Sequence, residues 1–469
     1  MSTDWGVPTT LRQMPGLRKT HHEIRDPVHG FVGFSSDERT VINSRPVQRL
    51  RHIHQLALTN LVYPGATHRR FEHSLGTMHL ASLVFDVVTA RQNVTDEVRR
   101  LIPDIDDDDH LPYWRSAIRM AALCHDIGHL PFSHAAEKQL LPREDPEWNH
   151  ERLSRGLILD EEMSSILKDM TPPLRPLEVA KLAIGKDKAP DLEFSPWEEI
   201  LSDIITGDVF GVDRMDYLLR DSLHAGVEYG QFDYRRLAAT LRVLPSPPQD
   251  EQDEERGFAG PASLGVQVGG LHAAEALLLS RYLMYSQVYL HSIRRVYDLH
   301  LIEFLRNWLP GGVFSTELET HLSMTDNEVL AGILRTGFDE SQPGHDAARR
   351  VQTRDHFRRL YTRTPQEFGN NPEVVAKVGE EFEGRFGPGT SLSDEPRDTK
   401  PPPDFPVLTS EEAVVSGYSL SAVLKNMPVI SLGYVFVRPD LLDEGRKWLE
   451  ENRQGLTAPI EEPEEGDRG

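Results

Sequence analysis

The chain has 469 residues, of which 38% are hydrophobic and 27% are charged, and its formal net charge is −23. Such an acidic protein lacks the basic face of a general nucleic-acid binder, so strong nucleic-acid binding is not expected. No apolar run approaches the roughly 20 residues that a membrane helix needs, and no membrane association is expected. The single cysteine, Cys124, excludes an internal disulfide and, with no signal peptide at the N-terminus, favours a cytoplasmic location.

The periodicity of apolar residues predicts a mainly α-helical fold. Residues 1–20 are typical of a flexible leader, and β-branched residues around Pro27 and Gly30 predict a small hairpin over residues 24–32. Residues 246–262, rich in proline, glycine and acids, predict an exposed excursion. Helical spacing predicts helices over residues 41–58, 71–90, 113–127, 132–141, most of 161–223, 271–308 and much of 315–386.

Positive charge is concentrated in one segment of this acidic chain. Residues 45–73 hold only one acid, Glu72, and these arginines: Arg45, Arg49, Arg51, Arg69 and Arg70. The contrast with the rest of the chain predicts a focused anion pocket. An ordinary basic helix face is the alternative.

Two adjacent metal-ligating side chains follow the apolar run 117–124. His125 and Asp126 can place an imidazole nitrogen and a carboxylate oxygen on one cation. Because two ligands do not hold a metal, others must come from elsewhere, and His73 and Asp213 are the candidates. A histidine by itself is more often a core residue whose hydrogen bonds are satisfied, so the metal hypothesis depends on all four together.

The order and spacing of the polar motifs resemble those of the HD-domain phosphohydrolases. Within that family the likeness is to the deoxynucleoside triphosphate triphosphohydrolases of the SAM-and-HD-domain branch, here with no SAM domain ahead. The matching segments, all between residues 22 and 305, are 26–30 (DPVHG), 48–51 (QRLR), 55–56 (QL), 64–68 (PGATH), 70–76 (RFEHSLG), 125–134 (HDIGHLPFSH), 150–151 (HE), 212–221 (VDRMDYLLRD), 232–234 (FDY) and 281–291 (RYLMYSQVYLH).

This resemblance implies one divalent metal ion per active site, held by His73, His125, Asp126 and Asp213. Nitrogen and oxygen donors without thiolates suit manganese, iron, magnesium or zinc, and the sequence does not choose among them. The ligand set leaves coordination positions open for water and a phosphate oxygen, as a catalytic site requires.

The resemblance assigns four residues to the chemistry: His129, His134, Glu137 and His150. His134, braced by Glu137 and His150, would activate or orient the attacking water, because such bracing raises the basicity of an imidazole and fixes its tautomer. His129 would hydrogen-bond the α-phosphate. Glu137 stands where the relatives have an aspartate, and a plain exposed helix residue is the alternative.

The implied substrate-binding residues are Gln55, Leu56, Arg70, Arg214, Tyr217, Asp221, Arg281, Tyr285 and Tyr289. The three arginines match positions that grip phosphates, a task that guanidinium groups perform with paired hydrogen bonds. Gln55 and Asp221 match positions that hold the sugar 3′-hydroxyl. Tyr217 matches an aromatic residue that fills the space of a 2′-hydroxyl, which implies a preference for deoxyribose. Base preference stays open, because Tyr285 replaces a histidine.

A nucleotide-activator site is implied at Arg25, Asn43, Gln48 and Arg51. Gln48 and Arg51 match the family, but Asn43 stands where an aspartate reads the donor edge of guanine. A neutral amide cannot accept both of those hydrogen bonds, so activation by a guanine nucleotide stays open. The resemblance also implies a homo-oligomer, a dimer or a tetramer.

The implied activity is metal-dependent hydrolysis of deoxynucleoside triphosphates to deoxynucleoside and inorganic triphosphate, by attack of water at the α-phosphorus. One alternative is an HD-type phosphomonoesterase or phosphodiesterase acting on other nucleotides, and another is a catalytically silent nucleotide-binding regulator. The predicted organisation is a flexible leader (1–20), an HD-type catalytic core (21–310), a helical region (311–386), a linker (387–408), a small α/β segment (409–456) and an acidic disordered tail (457–469).

Overall fold

The computed structural model describes residues 21–133, 137–142, 148–246, 260–395 and 403–459. The mainly α-helical fold predicted from the sequence is confirmed over these ranges. So is the N-terminal hairpin, in which β1 (His21–Asp26) pairs antiparallel with β2 (Gly30–Ser35). The expected leader, the acidic tail from residue 460 and His134 lie outside the described residues, as does most of the expected excursion.

The helices divide into an N-terminal and a C-terminal set. The first set is α1 (Ser36–Ile42), α2 (Arg45–Arg49), α3 (Arg70–Val88), α4 (Asp96–Leu101), α5 (Leu111–Cys124), α6 (Glu137–Leu140), α7 (His150–Leu159), α8 (Glu161–Lys168), α9 (Pro176–Ile184), α10 (Pro196–Thr206), α11 (Val212–Ala225) and α12 (Tyr234–Thr240). The second set is α13 (Leu271–Met284), α14 (Ser292–Trp308), α15 (Leu318–Ser323), α16 (Asp326–Thr336), α17 (His345–Thr353), α18 (Pro365–Asn370), α19 (Val374–Phe386), α20 (Gly417–Leu420), α21 (Ala422–Lys425) and α22 (Leu442–Leu456).

The remaining strands form two small sheets. They are β3 (Leu241–Ser246), β4 (Gly260–Gln267), β5 (Arg358–Thr362), β6 (Ser391–Asp394), β7 (Pro406–Leu408), β8 (Val414–Ser416) and β9 (Tyr434–Val437). One sheet has the order β3-β4-β7-β8, and in the other β9 lies between β5 and β6. Strands β6 and β7 fall inside the segment that its composition predicts to be a linker, and Val407 of β7 is completely buried.

Three predicted helices are interrupted. The helix expected over 41–58 breaks between α1 and α2, because Pro46 has no N–H to donate to the carbonyl of Ile42. The helix expected over 132–141 does not include Phe132 and Ser133, which adopt φ values of 59° and 55°, whereas Glu137–Leu140 is helical. The region 271–308 is divided by a π-helical turn, Tyr285–Tyr289.

Two of the clusters that form the hydrophobic core meet at the turn after α5. The main cluster buries the apolar faces of α3, α5, α9, α10 and α11 against β3 and β4. A second cluster packs Leu130 and Phe132 against α14, α16 and α17, while Ile127 belongs to the main cluster. A third cluster packs β5 and β9 against α19 and α22. The turn after α5 is therefore fixed by packing on both sides.

A buried ion pair ties the N-terminal hairpin and α1 to the main helices. Arg119 of α5 donates from Nε to Glu38 Oε1 (2.5 Å) and from Nη2 to Glu38 Oε2 (3.1 Å). Its Nη1 also donates to Ser82 of α3, and Nη2 donates to the carbonyl of Gly33 in β2. Burial alone would raise the pKa of Glu38, but the hydrogen bond and charge of Arg119 lower it, so the carboxylate stays ionised.

We expect Arg119→Met to cost about 3–5 kcal/mol of unfolding free energy, because it leaves the Glu38 carboxylate buried and unpaired. Arg115→Met on the same helix is the control: its half-exposed pair with Asp86 (2.7 Å) contributes at most about 1 kcal/mol. Chemical denaturation measures both. Because folding lowers the pKa of Glu38, its ionised carboxylate stabilises the fold above the unfolded-state pKa, and this stabilisation is lost as pH falls. The difference in unfolding free energy between the wild type and Arg119→Met should therefore narrow in acid. Equal losses in the two variants would contradict this interpretation.

Candidate active site

Four side chains from three separate elements converge at the centre of the helical body. His73 lies on α3, His125 and Asp126 directly follow α5, and Asp213 lies in the first turn of α11. His73 Nε2 lies 3.0 Å from Asp213 Oδ1 and 3.6 Å from Asp126 Oδ2. His125 Nε2 lies 3.5 Å from Asp213 Oδ1 and 3.4 Å from Asp126 Oδ1. The residues predicted as metal ligands therefore lie together.

The donor set fits a divalent cation. The other nitrogen of each imidazole is occupied, since His73 Nδ1 donates to Asp216 (2.8 Å) and His125 Nδ1 donates to the carbonyl of Ala122 (2.8 Å). Both Nε2 atoms are buried and have no hydrogen-bond partner among the described residues, which is rare for buried polar atoms. Spacings of about 3.0–3.6 Å between donors are those of ligands bonded at about 2.1 Å to one ion.

The carboxylates of the site carry more negative charge than the neighbouring arginine side chains balance. Burial would lower the pKa of His73, but the carboxylates of Asp213 and Asp216 raise it to about 10. Burial also opposes ionisation of Asp126 and Asp213, yet Arg70, His125 and His129 keep the pKa of Asp126 well below normal, and His125 and His73 do the same for Asp213. These carboxylates therefore stay charged and hold either a proton on His73 or a metal cation in its place.

A buried ionic network supports His73 from behind. Asp216 accepts hydrogen bonds from Arg220 Nε (2.8 Å), Arg220 Nη2 (2.9 Å) and His29 Nε2 (2.7 Å). Arg220 Nη1 donates in turn to Asp26 (2.8 Å), and Asp26 also accepts from the backbone N–H of His29 (2.8 Å). The DPVHG segment, 26–30, thus helps to fix the tautomer and orientation of His73, a predicted metal ligand.

Two glycines allow the elements of the site to approach. A Cβ on Gly76 of α3 would lie 1.9 Å from Asp216 Oδ1, so no side chain fits between α3 and α11. A Cβ on Gly128 would lie 2.2 Å from the backbone nitrogen of Ser154 in α7. Ser154 Oγ accepts from the N–H of Gly128 (2.9 Å) and donates to the carbonyl of His125 (2.8 Å), which holds the ligand turn against α7.

Three of the four residues predicted for the chemistry surround the far side of Asp126. His129 Nε2 lies 3.2 Å from Asp126 Oδ1, and the ring of His129 stacks on that of His150 at 3.8 Å. Glu137 accepts from the backbone N–H (2.7 Å) and Nδ1 (2.8 Å) of His150. Glu137 is buried, so the alternative that it is a plain exposed helix residue is wrong. His134 lies outside the described residues.

The pKa values of the two stacked imidazoles are shifted in opposite directions. Burial lowers the pKa of both, but the charge of Glu137 raises that of His150 to about 9. For His129 the positive charges of Arg70 and His150 add to burial and push its pKa well below the usual value. At neutral pH His150 is therefore a cation and His129 is neutral.

A cleft of about 1430 Å³ opens over these residues. The predicted site residues on its wall are Gln55, Leu56, Arg70, His125, Asp126, His129, His150, Asp213, Tyr217, Asp221, Tyr285 and Tyr289. Asp221 is oriented by His68 Nε2 (2.7 Å) and by the hydroxyl of Tyr289 (2.8 Å). Gln55 Oε1 is buried and has no partner among the described residues, so it is available to a ligand in the cleft.

The three predicted phosphate-binding arginines differ in placement. Arg70 lines the cleft, where it donates from Nη1 to Asp126 and from Nε to Ser133 Oγ (2.7 Å). Arg281 lies over the ring of Tyr285 (4.9 Å), and Arg214 donates to the carbonyl of Gly207 (3.3 Å). In the described part of the chain neither of these two lines the cleft.

The residues predicted for an activator site lie away from the cleft. Arg51 Nε donates to Gln48 Oε1 (2.9 Å), and Gln48 Nε2 donates to the carbonyl of Ile42 (2.8 Å), next to Asn43. Arg25 is exposed on β1, where its guanidinium lies over the ring of Phe31 (4.7 Å). Gln48, Arg51 and the backbone beside Asn43 thus form one group, and their role stays a prediction.

Comparisons with known proteins bear on these residues. The HD domain matches residues 70–218, and the HD associated region matches residues 260–383. An uncharacterised protein of Methanocaldococcus jannaschii is 34% identical over 59% of this chain and 47% of its own length. The deoxynucleoside triphosphate triphosphohydrolase SAMHD1 of Gallus gallus is 27% identical over 92% of this chain and 68% of its own length.

A hypothetical protein of Aquifex aeolicus, known from its crystal structure, is 30% identical with a TM-score of 0.71, covering 92% of this chain and 100% of the Aquifex chain. The chain belongs to the HD-domain phosphohydrolase family. It spans about half the length of the Methanocaldococcus relative. No described helix of this HD-domain phosphohydrolase has the length and apolar character to cross a membrane.

Sequence reasoning missed the residues that orient the ligands of this HD-domain phosphohydrolase. Asp216, Arg220 and His68 were not predicted to take part in the site. A signal existed for the first two, because Asp216 and Arg220 are spaced i,i+4 on one helix, as an intrahelical ion pair requires. His68 gave no such signal, since its partner Asp221 is 153 residues away in the sequence.

We expect His125→Ala and Asp126→Ala to abolish metal binding and activity while the chain stays folded, because each removes a ligand but leaves the surrounding apolar packing. His110→Ala is the control, since that exposed histidine pairs with Asp107 at the surface (2.8 Å). Titration calorimetry with Mn²⁺ gives the stoichiometry, and circular dichroism reports the fold. Full metal stoichiometry or turnover in Asp126→Ala would contradict the assigned role.

Asp216→Asn should weaken metal binding about 10- to 100-fold, because an amide no longer fixes the tautomer of His73 as a carboxylate does. Asp86→Asn, an exposed position on the helix that carries His73, is the matched control. Mn²⁺ affinity is measured directly, alongside the unfolding transition of each variant. Unchanged affinity in a less stable Asp216→Asn protein would show that the network serves the fold and not the metal.

Proposed function

We propose that this protein hydrolyses deoxynucleoside triphosphates to deoxynucleoside and inorganic triphosphate, by attack of water at the α-phosphorus. The observation that carries the proposal is the convergence of four metal ligands beside a cleft whose wall also holds Arg70 and Asp221. The name of the Gallus gallus relative, a deoxynucleoside triphosphate triphosphohydrolase, supports the same reaction.

The chain's own residues provide charge and orientation for this reaction. A divalent ion held by the four ligands supplies polarisation of a phosphate oxygen and acidification of a water molecule. Arg70, fixed at Nε by Ser133, presents its remaining N–H groups to the phosphates. His129, neutral and next to the metal ligands, hydrogen-bonds the α-phosphate. His134 activates or orients the attacking water, a role in which the family resemblance assigns the charged pair of Glu137 and His150 as its support.

The sugar and the base occupy the other end of the cleft. Asp221, held by His68 and the Tyr289 hydroxyl, accepts a hydrogen bond from the sugar 3′-hydroxyl. The Gln55 side chain provides a second polar contact with the sugar. The ring of Tyr217 lies 6.1 Å from that of Tyr289 in a T-shaped arrangement and fills the space of a 2′-hydroxyl. The same pocket therefore favours deoxyribose over ribose.

We further propose a homo-oligomer, dimer or tetramer, as the quaternary state and a nucleotide as activator, bound near Gln48 and Arg51. Asn43 makes a guanine-specific activator less favourable, because its amide cannot accept two hydrogen bonds from the base as a carboxylate does. A cytoplasmic location agrees with the single reduced cysteine.

The purified protein, incubated with each deoxynucleoside triphosphate and Mn²⁺ or Mg²⁺, should release deoxynucleoside and inorganic triphosphate in equal amounts. In ¹⁸O-labelled water the label should enter the triphosphate, because water attacks the α-phosphorus and the 5′-oxygen leaves. The matching ribonucleotides should react far more slowly. Chromatography and mass spectrometry measure both products.

Other outcomes identify other functions. Cleavage of only monophosphates, diesters or cyclic nucleotides would replace the proposal with an HD-type phosphomonoesterase or phosphodiesterase. Release of deoxynucleoside monophosphate and pyrophosphate would overturn the position of the broken bond. Tight nucleotide binding with no turnover in any metal would make the chain a catalytically silent regulator.

A further inference from the structure

A buried carboxylate from the C-terminal helical region reaches the active-site turn. Asp326 is the first residue of α16 and is 0% exposed. Its side chain does not cap its own helix, because Thr325 and Glu328 already form a capping box there. The carboxylate therefore has a different task, and its hydrogen bonds show what it holds.

Asp326 accepts three hydrogen bonds from the catalytic core. Its Oδ2 accepts from the backbone N–H of His54 (2.8 Å) and from His54 Nδ1 (2.5 Å). Its Oδ1 accepts from the backbone N–H of Phe132 (2.8 Å). The rings of His54 and Phe132 lie nearly parallel, 6.3 Å apart. One carboxylate thus joins two segments that are far apart in sequence.

The residues that Asp326 holds in turn place a phosphate-binding arginine. Phe132 and Ser133 both have left-handed φ values, 59° and 55°, which non-glycine residues adopt only where contacts impose them. Ser133 Oγ donates to the carbonyl of His54 (3.2 Å) and accepts from Arg70 Nε (2.7 Å). Hydrogen bonds between buried groups therefore connect Asp326 to Arg70 through His54 and Ser133.

Through Arg49, the segment between α15 and α16 also holds the other end of the turn 129–133. Arg49 donates from Nε (3.1 Å) and Nη2 (2.8 Å) to the carbonyl of Met324, two residues before Asp326. Its Nη1 donates to the carbonyl of His129 (2.8 Å). Both ends of the turn 129–133 are thus attached to the segment 324–326.

We propose that Asp326 is a positioning residue of the active site, which sets the turn 129–133 and through Ser133 the guanidinium of Arg70. The inference rests on the proposed function in one respect, namely that Arg70 binds the triphosphate. It gives the C-terminal helical region a task in catalysis: the region fixes the turn that carries the phosphate-binding contacts.

Asp326→Asn keeps the size of the side chain but cannot accept all three hydrogen bonds. We expect kcat to fall about 10- to 100-fold, since a displaced phosphate ligand costs that much, while Mn²⁺ affinity should change much less, because Asp326 contacts none of the predicted metal ligands directly. Thr336→Ala is the matched control: Thr336 is buried on the same helix and lies about 15 Å further along the helix axis, away from the turn. An equal loss of kcat in a Thr336→Ala variant of similar thermal stability would overturn the proposal.

A double-mutant cycle tests the path through Ser133. If Asp326 acts through it, Asp326→Asn should lower kcat much less in a Ser133→Ala background than in the wild type, because the path to Arg70 is already cut. The same fold-loss in both backgrounds would refute that path.

Hydrogen exchange tests the hold on the turn without any substrate. Peptides covering 128–133 and 52–56 should exchange at least about 10-fold faster in Asp326→Asn than in the wild type or Thr336→Ala. Unchanged exchange would overturn the proposal. If the wild type hydrolysed no deoxynucleoside triphosphate but the exchange rose as expected, the proposed function would fail while the positioning role stood.

Discussion

The buried ionic network around Asp216 is the interaction on which the catalytic geometry depends. It joins α11 to α3 and to the N-terminal hairpin, and the hydrogen bond between His29 and Asp216 alone spans 187 positions of the sequence. A carboxylate with no exposure stays ionised only if it is paired and hydrogen-bonded. Arg220 and two histidines provide that pairing, so the carboxylate can hold His73 in the orientation that a metal ligand needs.

Such a network contributes more to geometry than to stability. Desolvation of buried charges offsets most of their attraction, so an apolar replacement often leaves a fold equally stable. An apolar core could not fix the tautomer of His73 or bring α11 as close to α3 as Asp216 and Gly76 do together. The ionic residues at this position are therefore explained by the site they support, and the ordinary apolar clusters account for the body around it.

The sequence predicted the elements of the site better than the contacts between them. The periodic apolar residues of α3 and α11 placed His73 and Asp213 on buried helices, and the adjacent His125 and Asp126 marked the candidate metal site. Local patterns carry no information about the partner of Asp326, because His54 lies 272 positions away. The start of the helix expected over 132–141 was wrong for a related reason: distant contacts impose the left-handed conformation of Phe132 and Ser133 against the local preference.

The turn after α5 is where these constraints meet. On one side Asp126 faces the other metal ligands, and on the other Phe132 is held by the C-terminal helical region. Arg70 contacts both ends, since it donates to Asp126 and to Ser133. A guanidinium has five N–H donors, and these two contacts leave others for a phosphate. The position of Arg70, the proposed phosphate-binding group, is therefore tied to the predicted metal ligands and to the C-terminal helices at once, so a shift of either support would displace the guanidinium relative to those ligands.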